Sequence, residues 1–131
     1  MLTKSLIPFV LVAASSTALW ANPPEITAAV HILDVTYGEV HAEGRMAMRL
    51  CNITSLDMTN VNVRAPNGGG DRLDRGVVQF GHVAAGECKS EDARFVWQQL
   101  ILNETSFLPL RIDYDIGGAH QDQIVHADRI D

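Results

Sequence analysis

Four residues near the C-terminus have the types and spacing to gather charge on one surface. Asp113 and Asp115 stand two apart, so an extended strand would place both carboxylates on one face, and His120 and Asp122 repeat that interval beyond Gly117-Gly118. A reversal at the two glycines would set the pairs opposite each other. Three carboxylates and an imidazole would then meet, a donor set suited to a weakly held divalent cation. The competing reading is a solvated polar face on a half-exposed sheet, which residues of these types form more often. The other histidines, His31, His41, His82 and His126, do not make the HxH or HxxxH pairs from which transition-metal sites are commonly built.

Nucleophilic chemistry finds less support. No serine stands in a GxSxG turn or beside an obvious histidine partner. Gly68-Gly69-Gly70 lacks the lysine and hydroxyl residue that make a phosphate-binding loop. No cofactor motif is present, so neither a cofactor nor an enzymatic activity is expected. Cys51 and Cys88 are the two cysteines. An even count in an oxidising compartment favours a disulfide, and the rival, a redox-active pair, lacks the close CxxC spacing of such sites. Closing the loop between them would stabilise the fold by about 3–4 kcal/mol.

Arg64, Arg72 and Arg75 surround the stretch Pro66 to Asp71 and make a local positive patch in an acidic chain. Such a patch suits a carboxylate-bearing partner; the plainer alternative is that these arginines serve only solubility. Recognition concentrates in loops whose ends a scaffold holds fixed. The two candidates are Pro66 to Arg75 and Gln98 to Phe107.

Where these side chains work depends on the N-terminus. Met1 to Lys4 carries one positive charge, and an apolar run follows from Leu6 to Leu19, interrupted by Pro8 and Ser15-Ser16. That is too short for a membrane span of roughly 20 apolar residues, and it has the layout of a secretory signal. Cleavage is expected after Ala21, with Ala18 as second choice, and no cysteine sits there to carry a lipid. Residues 1–21 are therefore expected to be removed, leaving one domain over residues 22–131 in the periplasm or outside the cell. The whole chain has 10 basic and 16 acidic residues, net −6 at pH 7, and losing Lys4 makes it more acidic still. That sign argues against nucleic acid and against anionic lipid as partners.

The elements that must position these residues read as strands. Runs of β-branched residues are divided by Gly, Pro, Asn and Asp, with no sustained helical period. Strands are expected near Ile26–Tyr37, Arg45–Ile53, Val61–Val63, Val77–Phe80, Cys88–Trp97, Leu108–Ile116 and Ile124–Ile130. Alternation puts Met46, Met48 and Leu50 on one face, Phe95 and Trp97 on another, and Leu110, Ile112, Tyr114 and Ile116 opposite Arg111, Asp113 and Asp115. Pro66 to Asp71 is expected to be a flexible loop. Without crossover helices the sheets should be antiparallel, and seven short strands have the rhythm of an immunoglobulin-like sandwich.

Leu50-Cys51-Asn52-Ile53-Thr54-Ser55 followed by Val61-Asn62-Val63 resembles bacterial Ig-like domains of the adhesin and cell-surface type. Phe80-Gly81-His82-Val83-Ala84-Ala85-Gly86-Glu87 is similar to their next signature, a small-residue turn ending in Gly-Glu, and Phe95 matches the aromatic of the strand after it. The resemblance covers about half of the mature chain and concerns fold rather than activity. It implies that the strand ending near Cys51 pairs antiparallel with the strand starting near Cys88, bringing the cysteines together. Most such domains lack this pair, which suits a domain standing alone. The function expected is a non-enzymatic binding or accessory module contacting a protein or surface polymer, with small-scale metal binding on the last hairpin as the alternative.

Overall fold

The computed structural model describes residues 24–66, 70–99, 102 and 107–130. The expected signal segment, Asn67 to Gly69 and most of Gln98 to Phe107 lie outside the described residues. Eight strands are formed among them: β1 (Ile26–Tyr37), β2 (His41–Asn52), β3 (Met58–Arg64), β4 (Arg72–Leu73), β5 (Val78–Val83), β6 (Cys88–Gln98), β7 (Phe107–Ile116) and β8 (Ala119–Arg129). They join in the order β4-β6-β2-β1-β8-β7-β3-β5.

Two four-stranded halves meet where β1 and β8 run side by side. That contact is parallel and short, Ala29 opposite Asp128 and Val30 opposite Arg129. The expectation of purely antiparallel pairing in two separate sheets is therefore corrected to one mixed sheet, nearly barrel-shaped. The physical reason is that β1 and β8 are the first and last strands, so the rest of the domain serves as the connection that parallel neighbours need. The seam between β5 and the part of β6 that β4 leaves uncovered is bridged by a side chain: Lys89 Nζ of β6 donates to the carbonyls of Phe80 at 3.1 Å and His82 at 2.6 Å on β5.

Alternation fills the interior. Met46, Met48, Leu50, Val61, Val63, Trp97, Leu108, Leu110, Ile112 and Tyr114 are fully buried in one contiguous core. The outward residues of the same strands carry the charge. Tyr114 brings a polar group to the interior; its hydroxyl donates to Glu25 Oε1 at 2.5 Å and accepts from Gln123 Nε2 at 2.7 Å. Burial first, and then the neighbouring Glu25 carboxylate, push that hydroxyl above the usual tyrosine range.

Cys51 and Cys88 form a disulfide between directly opposed residues of β2 and β6, with Cα atoms 4.0 Å apart. Just beyond it the chain turns at Asn52, which is buried yet fully occupied. Its Nδ2 donates to the carbonyls of Leu56 and Val83, and its Oδ1 accepts from the Thr54 amide and hydroxyl. An amide buried with those partners fixes the β2–β3 turn, because every alternative conformation strands polar groups away from water.

Candidate functional site

The C-terminal hairpin has the register expected from its sequence. Gly117 and Gly118 take φ of 56° and 81°, the left-handed values a two-residue hairpin turn requires. Asp113 then pairs with Asp122 and Asp115 with His120. His120 Nδ1 lies 2.7 Å from Asp115 Oδ1, and its Nε2 lies 3.6 Å from Asp113 Oδ2.

Cationic and amide donors from neighbouring positions already engage these carboxylates. Arg64 of β3 donates to Asp113 at 2.9 Å, Asn60 to Asp115 at 2.8 Å, and Arg111 grips Asp122 through two bonds of 3.0 and 2.7 Å. Among the described residues no three His, Cys, Asp or Glu side chains are grouped as a metal ion requires. The hairpin face is thus a charge network in which carboxylates alternate with guanidinium and imidazole groups.

The network fixes a titration behaviour. The hydrogen bond that His120 donates to Asp115, then the Asp115, Asp113 and Asp122 charges, raise His120 above the usual 6.5, while the hydrogen bonds Asp115 accepts from Asn60 and His120 lower Asp115. A raised histidine contributes stability that is complete below its unfolded value and is lost as pH rises through the folded one. A lowered carboxylate contributes above its unfolded value and loses that contribution as pH falls through the folded one. The pair is therefore strongest between those limits. In an NMR titration His120 should show a midpoint above 6.5, and Asp115→Asn should bring it down. A midpoint that ignores Asp115→Asn would mean the pair does not persist in solution.

The three arginines singled out from the sequence are not brought together as one group. Arg64 belongs to the hairpin network through Asp113. Arg72 and Arg75 sit elsewhere, and Arg94 joins them around a cleft of about 540 Å3 whose other lining residues are Glu43, Gly44, Asp74, Val77, Phe95 and Val96. Strand register explains the assembly. Arg72 of β4 lies opposite Val96 of β6, and Val96 opposite Glu43 of β2. Two residues along, Arg94 faces Arg45 directly. Like charges placed opposite each other are unfavourable. Arg45 is neutralised by Asp34 at 3.0 Å, whereas the side chains of Arg72, Arg75 and Arg94 have no hydrogen bond or ion pair among the described residues.

Two aspartates hold β4 in place. Asp71 Oδ1 accepts from the Gln98 amide at 3.0 Å, and Asp74 Oδ1 accepts from the Arg94 amide at 2.7 Å. The Asp74 amide returns a bond to the Arg94 carbonyl at 2.8 Å. Carboxylates on both flanks thus fasten a strand of two residues to β6. Asp71, expected in a flexible loop, has a fully buried side chain, so the far end of that loop is anchored. The resulting arrangement presents three guanidinium groups around the cleft, Arg72 on the segment pinned at Asp71 and Asp74, Arg75 just beyond the second pin and Arg94 on β6.

No protein-family model matches the chain, and no curated protein does. Among solved structures, an exo β-N-acetylglucosaminidase of family GH20 from Vibrio harveyi, in complex with N-acetylglucosamine, aligns with a TM-score of 0.40 and 12% identity over 82% of this chain. This chain spans 18% of that enzyme's length. A FixG-related protein from Vibrio parahaemolyticus aligns at 0.34 and 10% identity, covering 82% of this chain and 98% of its own. A β-glucosidase from Kluyveromyces marxianus aligns at 0.25 and 12% identity, over 79% of this chain and 15% of that one. Likenesses of this size carry no argument about activity.

Sequence reasoning passed over Arg94, Glu43, Asp71 and Asp74. Arg94 alternates outward beside Phe95 and Trp97, which was visible, but its neighbours across the sheet come from register and not from spacing. The pair Asp71 and Asp74 flanking Arg72-Leu73 was also visible, as two short acceptors on either side of one apolar residue.

Proposed function

We propose that this chain is an exported, non-enzymatic accessory domain that binds a protein or surface polymer through the cleft between β4 and β6. The observation that carries the reading is the set of three guanidinium groups, Arg72, Arg75 and Arg94, on one cleft of an acidic protein, without a hydrogen bond or ion pair among the described residues. Unpaired guanidinium groups on a fixed rim are ready for bidentate contact with carboxylates. The frame is read as a variation on the immunoglobulin-like sandwich of bacterial cell-surface domains; two four-stranded halves around a common core support that reading. The disulfide is compatible with an oxidising compartment, and no described helix is long and apolar enough to cross a membrane.

The test is retention of exported-fraction components on immobilised protein, wild type against an Arg72→Ala/Arg75→Ala variant. Components held by the wild type and released by the variant are expected. Identical retention on both would sink the reading. A second reading, cation binding at the hairpin, draws on the convergence of His120 with Asp113 and Asp115. Its check is the thermal midpoint in calcium or zinc at physiological concentration, where no shift would dismiss it.

A further inference from the structure

The cleft has features that narrow the chemistry of its ligand. Its lining sets three guanidinium groups against two carboxylates. Asp74 gives Oδ1 to the Arg94 amide, so the acceptors left for a ligand are the Glu43 carboxylate and the second oxygen of Asp74. A phosphomonoester dianion or a small ionised dicarboxylate would meet Glu43 with a second negative charge and no proton to donate. A ligand with one carboxylate and several hydroxyl groups satisfies both kinds of lining: its anion takes the arginines, and its hydroxyls donate to Glu43. Half-buried Val77 and Val96 supply apolar surface between them.

Strand edges narrow the choice again. An extended peptide brings a row of main-chain N–H and C=O groups that are usually met by adding a strand to a free sheet edge. β5 is closed to that, since Lys89 takes the Phe80 and His82 carbonyls. β4 offers an edge of two residues. At the cleft itself, β4 covers Phe95 and Val96 of β6 and Asp74 takes the Arg94 amide and carbonyl, so recognition there falls to side chains. A volume of about 540 Å3 lies within the range of roughly 300–1,000 Å3 seen for clefts that take small ligands or single units of a polymer.

We infer that the cleft binds the uronate unit of an acidic polysaccharide, Arg72, Arg75 and Arg94 holding the carboxylate and Glu43 accepting from ring hydroxyls. The inference rests on the binding role proposed above and names the class of partner. It is tested by isothermal titration of the purified protein with oligomers of galacturonate, glucuronate and mannuronate, their neutral methyl esters, and poly-L-glutamate. At least one oligouronate is expected to bind. Its ester should bind about tenfold more weakly or worse, and Arg72→Ala/Arg75→Ala should cost about tenfold or more, as loss of a charge-assisted contact does. The variant's thermal midpoint should not move, because these exposed side chains make no hydrogen bond or ion pair among the described residues. Poly-L-glutamate binding as tightly as every uronate overturns the sugar assignment and leaves the carboxylate-binding role standing. No binding by any acid overturns both. Esters that bind as well as acids, or an arginine variant with undiminished affinity, also remove the inference.

Discussion

A Gly44→Ala variant is expected to lose about 3–4 kcal/mol of stability, at the upper end of what crowding a packed site costs. In a domain of this size that lowers the thermal midpoint by roughly 15–25 °C. A Cβ at this position would stand 2.0 Å from the Asp34 carbonyl oxygen, 2.8 Å from its carbon and 2.9 Å from the Val35 Cα. All three are backbone atoms, so no rotamer change relieves the contact. The close approach comes from an irregularity in β1 between Ile32 and Asp34, after which Asp34 pairs with Arg45 and Val35 with Gly44. Removing the bulge to make room would slip the rest of β1 by one residue and turn each side chain to the opposite face. Glu43 and Gly44 also line the cleft, so uronate affinity should fall together with stability. A variant that melts with the wild type would show that β1 yields at Asp34 without cost.

Removing the disulfide by Cys51→Ala/Cys88→Ala is expected to cost a similar amount, about 4 kcal/mol on the chain-entropy account. The origin is different. Cys51 is half-buried and Cys88 exposed on the outer face, so truncation leaves no cavity in the core. The ladder from His41–Gln98 to Cys51–Cys88 already aligns the two strands in the folded state. What the bond removes is freedom in the unfolded chain. The variant should therefore keep its native near-ultraviolet spectrum and its ligand affinity while melting earlier. An unchanged midpoint would mean that the unfolded chain already holds β2 and β6 together.

Much of the frame was legible because period-two patterning carries a physical instruction. Met46, Met48 and Leu50 alternate with Ala47 and Arg49, and a half-buried strand is the conformation that separates them onto two faces. The last hairpin could be read down to its register, since Gly117-Gly118 selects the turn and the turn fixes which residues meet. The beginnings of β2 and β8 were not legible. His41 to Gly44 and Ala119 to Gln123 are strands because a partner hydrogen-bonds them, not because they are apolar. β4 was missed for a sharper reason: two residues cannot display a period, and Asp71 and Asp74 fix the segment through side chains. The same limit hid the cleft. Glu43, Arg72 and Arg94 stand far apart in sequence, and only the register of three strands brings them to one rim.

Trp97 lies in the core with no exposed surface, and its indole N–H has no hydrogen-bond partner among the described residues. The chain has one other tryptophan, Trp20, inside the segment expected to be removed on export. The processed protein then carries a single indole chromophore, buried in an apolar setting. Its fluorescence should be short in wavelength and shift to the red as the core opens. One optical channel, with no label attached, would then follow β6 and the strands packed over it. The precursor, with Trp20 still attached, would emit with a second component, so the same spectrum would also report processing.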